Sequence, residues 1–279
     1  MYQRIPFCSL LVILLTNCGL SAQTIDTIIP LDRKMNETSG LEYFNGHFIT
    51  HNDSGGEPEL YEFDEKGVLL ATHPVTDAKN KDWEDITKDQ EFVYIGDHGN
   101  NFASREGLKI YKTKWNGSAF ESVGKIRFRY GEQKNFNKRG MNAFDAEALT
   151  VAGDQLLLFS KNRKTKNTEV YHISKEPGDY VLYPKVSVPV NSLVTGADFH
   201  PEKKVLALVG YGFDGTQFLY RIQNFDPNAL NFEGIEMMVI PHKDAQIEGV
   251  KVIDANHFWV TSEEEKFYGK PELIRISWE

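Results

Sequence analysis

One short pattern is written five times along this chain, and it restricts the fold more than any other feature. A polar residue opens a short apolar strand. A polar turn, a second apolar strand and a polar loop follow. The copies are Ser39-Gly40-Leu41-Glu42-Tyr43 with His47-Phe48-Ile49-Thr50, and Glu84-Asp85-Ile86-Thr87 with Phe92-Val93-Tyr94-Ile95. The third is Asp145-Ala146-Glu147-Ala148-Leu149 with Leu156-Leu157-Leu158-Phe159. The last two are Thr195-Gly196-Ala197-Asp198-Phe199 with Val205-Leu206-Ala207-Leu208-Val209, and Glu248-Gly249-Val250-Lys251-Val252 with His257-Phe258-Trp259-Val260. Their leading polar residues, Ser39, Glu84, Glu147, Thr195 and Glu248, lie 45, 63, 48 and 53 residues apart, the longest gap holding an insertion. Self-similarity at such periods belongs to a solenoid or a propeller.

Each copy is followed by a third alternating strand, such as Glu59-Leu60-Tyr61-Glu62-Phe63 or Phe218-Leu219-Tyr220-Arg221-Ile222. A fourth strand is expected at 68–72, 125–130, 185–189 and 234–240. The fifth repeat ends after three strands. Thr24 to Pro30 precedes Ser39 as Gly67 to Pro74 precedes Glu84, so this N-terminal strand is expected to complete the last blade beside Leu273 to Trp278. The reading is an all-β chain, a β-propeller of five four-stranded blades closed by the N-terminal strand, which leaves no open edge. A six-bladed ring is the runner-up and needs further strands. One domain is expected over 23–279.

Charged residues are 25% and apolar ones 41%, as in an ordinary folded chain rather than a disordered one. The formal charge of −9 argues against nucleic acid and anionic lipid, and suits cations. Arg4 and the apolar run Phe7 to Leu15 read as a secretion signal over 1–22, with cleavage expected after Leu20-Ser21-Ala22. The rival is lipidation at Cys18, since Leu15-Thr16-Asn17-Cys18 is similar to a lipobox. A secreted or periplasmic location is expected. Cys8 and Cys18 are the only cysteines, so cleavage at Ala22 leaves no thiol chemistry.

In such a ring the first strand of every blade lines the central channel. Ser39, Glu84, Glu147, Thr195 and Glu248 then face one axis: three carboxylates and two hydroxyls. Converging carboxylates repel in a partly desolvated channel, and a hard cation relieves this. Calcium accepts six to eight oxygen ligands in irregular geometry. Zinc suits the set poorly, since no His or Cys joins it.

These openings resemble those of the calcium-activated nucleotidases (apyrases), five-bladed propellers with a central calcium. Blades in that family open with Ser-Asp-Leu, Ala-Glu-Trp, His-Glu-Ala, a Ser-containing turn and Tyr-Glu-Gly-Ile-Glu. Here the matching places read Ser39-Gly40-Leu41, Trp83-Glu84-Asp85, Ala146-Glu147-Ala148, Thr195-Gly196-Ala197 and Ile247-Glu248-Gly249-Val250. The family's Asp is absent at Gly40. Asp145-Ala-Glu-Ala-Leu and His51-Asn52-Asp53-Ser54-Gly55 are also similar to secreted bacterial propellers of the phytase-like and esterase-like group. The resemblance implies a central calcium and a phosphoester or phosphoanhydride substrate.

Loops after each second strand are expected around the channel mouth. Arg139, Lys161 and Arg163 are candidates for holding phosphate oxygens. Asp53, Asp97 and His98 are candidates for activating water. Tyr211 or Phe102 is the only aromatic candidate for stacking on a base, and Glu263 lies nearest the mouth among the acidic residues that follow Ser262. A small anionic substrate is expected, or an extracellular polymer if the propeller is a non-catalytic calcium-stabilised binder. A lactonase or esterase is the third reading. The chain carries no nucleophile elbow, phosphate-binding glycine loop or HExxH motif.

Overall fold

A computed structural model describes residues 23–136, 141–242, 246–264 and 269–278. The expected leader and Cys18 lie outside these, as does Arg139. The regular structure of the described residues is β-strand, apart from one short 3-10 helix at Arg33–Met35. In order these are β1 (Gln23–Pro30), β2 (Thr38–Phe44), β3 (His47–Asn52), β4 (Glu59–Phe63), β5 (Leu69–Thr76), β6 (Trp83–Lys88) and β7 (Val93–Asp97). Next come β8 (Leu108–Trp115), β9 (Phe120–Tyr130), β10 (Ala146–Ala152), β11 (Gln155–Ser160), β12 (Thr168–Ser174), β13 (Gly178–Leu182) and β14 (Val186–Val188). The chain closes with β15 (Leu193–His200), β16 (Val205–Tyr211), β17 (Gln217–Gln223), β18 (Glu236–Ile240), β19 (Ile247–Val252), β20 (His257–Ser262) and β21 (Glu272–Trp278).

Pairing sorts these into four-strand antiparallel units. β10-β11-β12-β14 and β15-β16-β17-β18 are separate sheets, while β2 to β5 and β6 to β9 share one nine-stranded sheet. Their join is slight: β5 meets β9 in parallel only at Val75↔Phe120 and Thr76↔Glu121. The ninth strand of that sheet is β13, which the sequence pattern does not announce. It pairs in parallel with β9 from Gly178↔Ile126 to Leu182↔Tyr130. The N-terminal strand β1 pairs antiparallel with β21, from Gln23↔Trp278 to Pro30↔Glu272, and completes the sheet of β19 and β20.

Inner strands β2, β6, β10, β15 and β19 touch one another in a closed cycle. They are buried nearly end to end, as Trp83 to Thr87 illustrates, because both faces meet protein. Outer strands alternate: in β9, Ile126, Phe128 and Tyr130 are buried, and Arg127 and Arg129 are exposed. Five apolar clusters occupy the five seams between units. One packs Phe159 and Val170 on Phe199 and Tyr220, and another packs Phe48 and Phe63 on Trp259 and Leu273. The cycle is thus held by burial of apolar surface across each seam.

Every inner strand carries a bulge near its start. Glu84 lies between the pairs Trp83↔Asp97 and Asp85↔Gly96, and opposes no residue. Glu147, Thr195 and Glu248 are skipped in the same way. In the first unit the aligned pair is Ser39↔His51, and the residues skipped before Glu42↔Ile49 are Gly40 and Leu41. Counting outward from the aligned pair, the position equivalent to Glu84 is Gly40, not Ser39. Its φ of +73° and its closeness to the backbone of Asp85 and Ile86 leave no room for a Cβ. The five-residue ring therefore has one place without a side chain.

A candidate site at one end of the channel

The bulges bring Glu84, Glu147 and Glu248 to one end of the channel, all buried. Lys161, from the loop after β11, enters among them. Its ammonium hydrogen-bonds to Oε2 of Glu147 and lies 5.0 Å above the ring of Tyr211. It is 4% exposed. The carboxylates Glu147, Glu248 and Asp145 hold its pKa well above the usual lysine range despite burial. Lys161 therefore stands inside the ring as a counter-ion rather than above it as a phosphate clamp. Arg163 is likewise engaged: Nη1 pairs with Asp145 and Nη2 donates to Asn101 Oδ1 at 2.5 Å. Of the three basic residues expected to meet an anionic substrate, the two that are described, Lys161 and Arg163, are satisfied within the protein.

The two expected hydroxyl ligands act elsewhere. Ser39 Oγ donates to the Glu84 carbonyl at 2.5 Å, and Thr195 Oγ1 donates to the Ile247 carbonyl at 2.7 Å. Each ties one unit to the next. Asp85, beside Glu84, does the same on a larger scale, accepting from the backbone N–H groups of Leu149 at 2.8 Å and Ala197 at 3.2 Å.

Asp53 reaches the cluster from the loop after β3, in the unit whose ring position is Gly40. Carboxyl oxygens of Asp53, Asp82 and Glu84 lie within 4.8 Å of one another. Oδ1 of Asp53 is buried and has no hydrogen-bond partner among the described residues. Burial first, then the charges of Asp82, Glu147, Glu263 and Glu37, push its pKa up to about 8. Burial and the neighbouring carboxylates Glu147, Asp53, Asp145 and Asp82 also raise Glu84 well above the usual range. Asp82 rises too, chiefly through burial, although Arg105 Nη1 donates to it at 3.2 Å. Gly99 is required here, because a Cβ would overlap Oε1 of Glu84 and crowd Asp82.

On the other side, the carboxyls of Glu248 and Glu263 influence each other, and both are raised, mainly by burial. Glu263 also accepts from Gln246 Nε2 at 2.9 Å.

The expected water-activating trio separates. Asp53 belongs to the cluster. Asp97 is fully buried and bound to Arg105 Nη2 at 2.5 Å and Lys109 Nζ at 2.6 Å, a structural ion pair with no free role as a base. His98 is also buried, donates its Nδ1–H to the Ala146 carbonyl at 2.8 Å, and is kept neutral by burial, which pushes its pKa down to about 4. Its Nε2 faces Gly96, which has no Cβ to obstruct it. Residues that the repeat pattern passes over are Asp82 and Arg105. Asp82 sits two places before Glu84, where alternation alone sends it to the same face.

Among the described residues, Asp53, Asp82, Glu84, Asp97, Asp145, Glu147, Glu248 and Glu263 are met by Lys161, Arg163, Arg105 and Lys109. Carboxyl groups outnumber cations at this end of the channel, most of all at Asp53, Asp82 and Glu84. An all-oxygen donor set of this kind fits a hard divalent cation.

The fold is a β-propeller. Among solved structures, the chain is similar to the PQQ-bound aldose sugar dehydrogenase of Streptomyces coelicolor (TM-score 0.56, 9% identity, covering 93% of this chain and 98% of that one). It is also similar to the exo-β-1,3-galactanase of Phanerochaete chrysosporium (TM-score 0.56, 10% identity, 91% of this chain and 64% of that one). A glucose dehydrogenase aligns with TM-score 0.50 at 10% identity, over 89% of this chain and 98% of its own. At such identities the likeness concerns the fold. No known family matches the chain, and no curated protein matches its sequence.

Proposed function

We propose that this protein is a secreted, five-bladed propeller enzyme, a calcium-dependent hydrolase of a phosphoester or phosphoanhydride. The five-blade reading rests on the closed cycle of five inner strands and on five seam clusters. Enzymes among the similar folds make a propeller enzyme plausible. The observation that carries the metal is the convergence of Asp53, Asp82 and Glu84, with the buried Oδ1 of Asp53 unpartnered among the described residues. This retains the calcium and the phosphoryl chemistry implied by the apyrase resemblance. It moves the ligand set from five channel residues to one side of the ring.

When bound, the cation supplies the positive charge that attracts and polarises a phosphoryl oxygen. Among the described residues, Lys161 and Arg163 cannot do this, since they are held by Glu147 and Asp145. Lys161 opposes the burial that raises the Glu147 carboxyl and holds it in place. Glu248 and Glu263, both raised by burial, are the carboxyls that would hold a proton for a leaving oxygen. Leader cleavage after Ala22 delivers the protein to calcium-rich surroundings.

Phosphate release from nucleotides, sugar phosphates and inositol phosphates, with calcium and with chelator, tests the reading. Calcium-dependent release that Asp53→Asn abolishes supports it. Silence across the panel while calcium still raises the melting temperature leaves a calcium-stabilised binding propeller instead. Silence with no calcium response overturns both.

A further inference from the structure

At the far ends of the same inner strands lies a cavity of about 860 Å³, within the size range of small-molecule sites. Each inner strand contributes to it, through Glu42, Thr87, Val151, Asp198 and Lys251. Tyr43, Phe92, Phe199 and Trp259 supply aromatic wall. It is separate from the carboxylate site: Glu84 opens β6 near one end, and Thr87 leaves it at the other.

Charge at the floor of this cavity is unbalanced. Lys251 Nζ lies 2.6 Å from Glu42 Oε1 and 2.9 Å from Asp198 Oδ1. Two carboxylates share one ammonium. Asp198 uses its second oxygen to accept the Val252 N–H at 2.8 Å. Glu42 does not: its bond from the Tyr43 N–H at 2.6 Å and its ion pair both use Oε1. No partner is recorded for Oε2 among the described residues, and the side chain is 3% exposed. Farther up the wall, Asp89 pairs with Lys175 at 2.9 Å and Glu91 pairs with Lys114 at 2.7 Å; Glu65 accepts the Tyr43 phenol at 2.8 Å, and Lys88 also lines the cavity.

We propose that this second cavity binds a small organic ammonium, a primary or quaternary amine whose apolar part lies on the aromatic wall. Two buried carboxylates that share one ammonium leave a surplus negative charge, and one monovalent cation restores neutrality. Aromatic faces favour an ammonium over an anion. A single free carboxylate oxygen offers too few ligands for calcium. The cavity thus selects by charge at its floor and by size along its walls.

Calorimetric titration of the mature protein with choline, and with its uncharged isostere 3,3-dimethylbutan-1-ol, separates charge from shape. Choline should saturate, and the isostere should bind about tenfold or more weakly, the effect of one modest charge interaction. Glu42→Gln should weaken choline by a similar factor, and Asp53→Asn, at the opposite end, should not. If Glu42→Gln does not fold, the wild-type comparison still decides, together with movement of the Trp259 indole resonance on adding choline. Equal affinity for the isostere, no saturable heat, or loss in Asp53→Asn rather than Glu42→Gln would each overturn the proposal.

Discussion

The ammonium of Lys161 is bound to the carboxylate of Glu147 inside the channel, with the two side chains only 5% and 4% exposed. This contact replaces part of the charge compensation that a row of converging carboxylates demands. It leaves the cation requirement with Asp53, Asp82 and Glu84. It also makes the channel wall depend on a pair whose members come from the start of one strand and the loop after the next.

Lys161→Met should therefore destabilise the protein strongly. Breaking a buried pair leaves an uncompensated carboxylate, at a cost of about 3–5 kcal/mol. Urea midpoints at pH 8 measure the loss. Glu147 titrates at about pH 7 with Lys161 in place, so the loss should shrink at pH 5, where the orphaned Glu147 takes up a proton. An unchanged midpoint at pH 8 would show that Lys161 does not carry this compensation.

Calcium should raise the melting temperature of the mature protein, and chelation should reverse the rise. A ligand present at a hundredfold excess over its dissociation constant stabilises the folded state by about 2.7 kcal/mol. Asp53→Asn should remove most of that response. Ser39→Ala and Thr195→Val should keep it, because these hydroxyls hold neighbouring carbonyls; each should lower stability by about 1 kcal/mol. A calcium response lost in Ser39→Ala would return the ligand set to the five-residue ring.

Stability without metal should fall as pH rises from 6.5 to 8. Asp53 keeps its proton to about pH 8 in the folded chain, while the unfolded chain releases it near the ordinary value of 3.8. Between those values the folded state binds the extra proton, so raising the pH favours unfolding. Glu84 and Glu248 shift in the same direction. His51 and His98, pushed down to about 4, act oppositely, but only up to their ordinary value of 6.5. One fully buried proton gives a slope of about 1.4 kcal/mol per pH unit, and the partial exposure of Asp53 makes its share smaller. Denaturation in chelator at pH 6.5, 7.25 and 8 checks the sign. Asp53→Asn should flatten the profile.

Deleting residues 24–31 should cost far more than trimming a free terminus. β1 pairs with β21 through Pro30↔Glu272, and Leu31 N–H donates to the Pro271 carbonyl at 2.7 Å. Without them β21 becomes an open edge. The expected outcome is aggregation or a sharply lowered melting temperature in the shortened protein. A melting temperature within a degree or two of the intact form would mean that β1 contributes little.

Alternation of apolar and polar residues made the repeats, the outer strands and the closing role of Thr24 to Pro30 legible. These are local patterns, and a strand with one wet face writes its period directly into its sequence. Glu84, Glu147 and Glu248 were also legible, since each opens a repeat. Ser39 was misaligned by one residue because a bulge inserts an unpaired position, and the cross-strand bonds that locate it join residues far apart in sequence. β13 was missed for a related reason: its partner β9 lies some fifty residues earlier, and no local turn connects them.

Sequence alone determined a chain of repeated strands closed by its own N-terminus, with carboxylates returning at one end of a channel. It could not decide which charges meet. Lys161 and Arg163 read as free cations because a loop sequence says nothing about where its side chains turn. Tertiary packing brings Lys161 to Glu147, Arg163 to Asp145, and Asp53 beside Asp82 and Glu84. The same packing leaves Glu42 and Asp198 to share Lys251 at the other end. Period is a property of neighbours along the chain, whereas charge balance is a property of the space that distant segments enclose together.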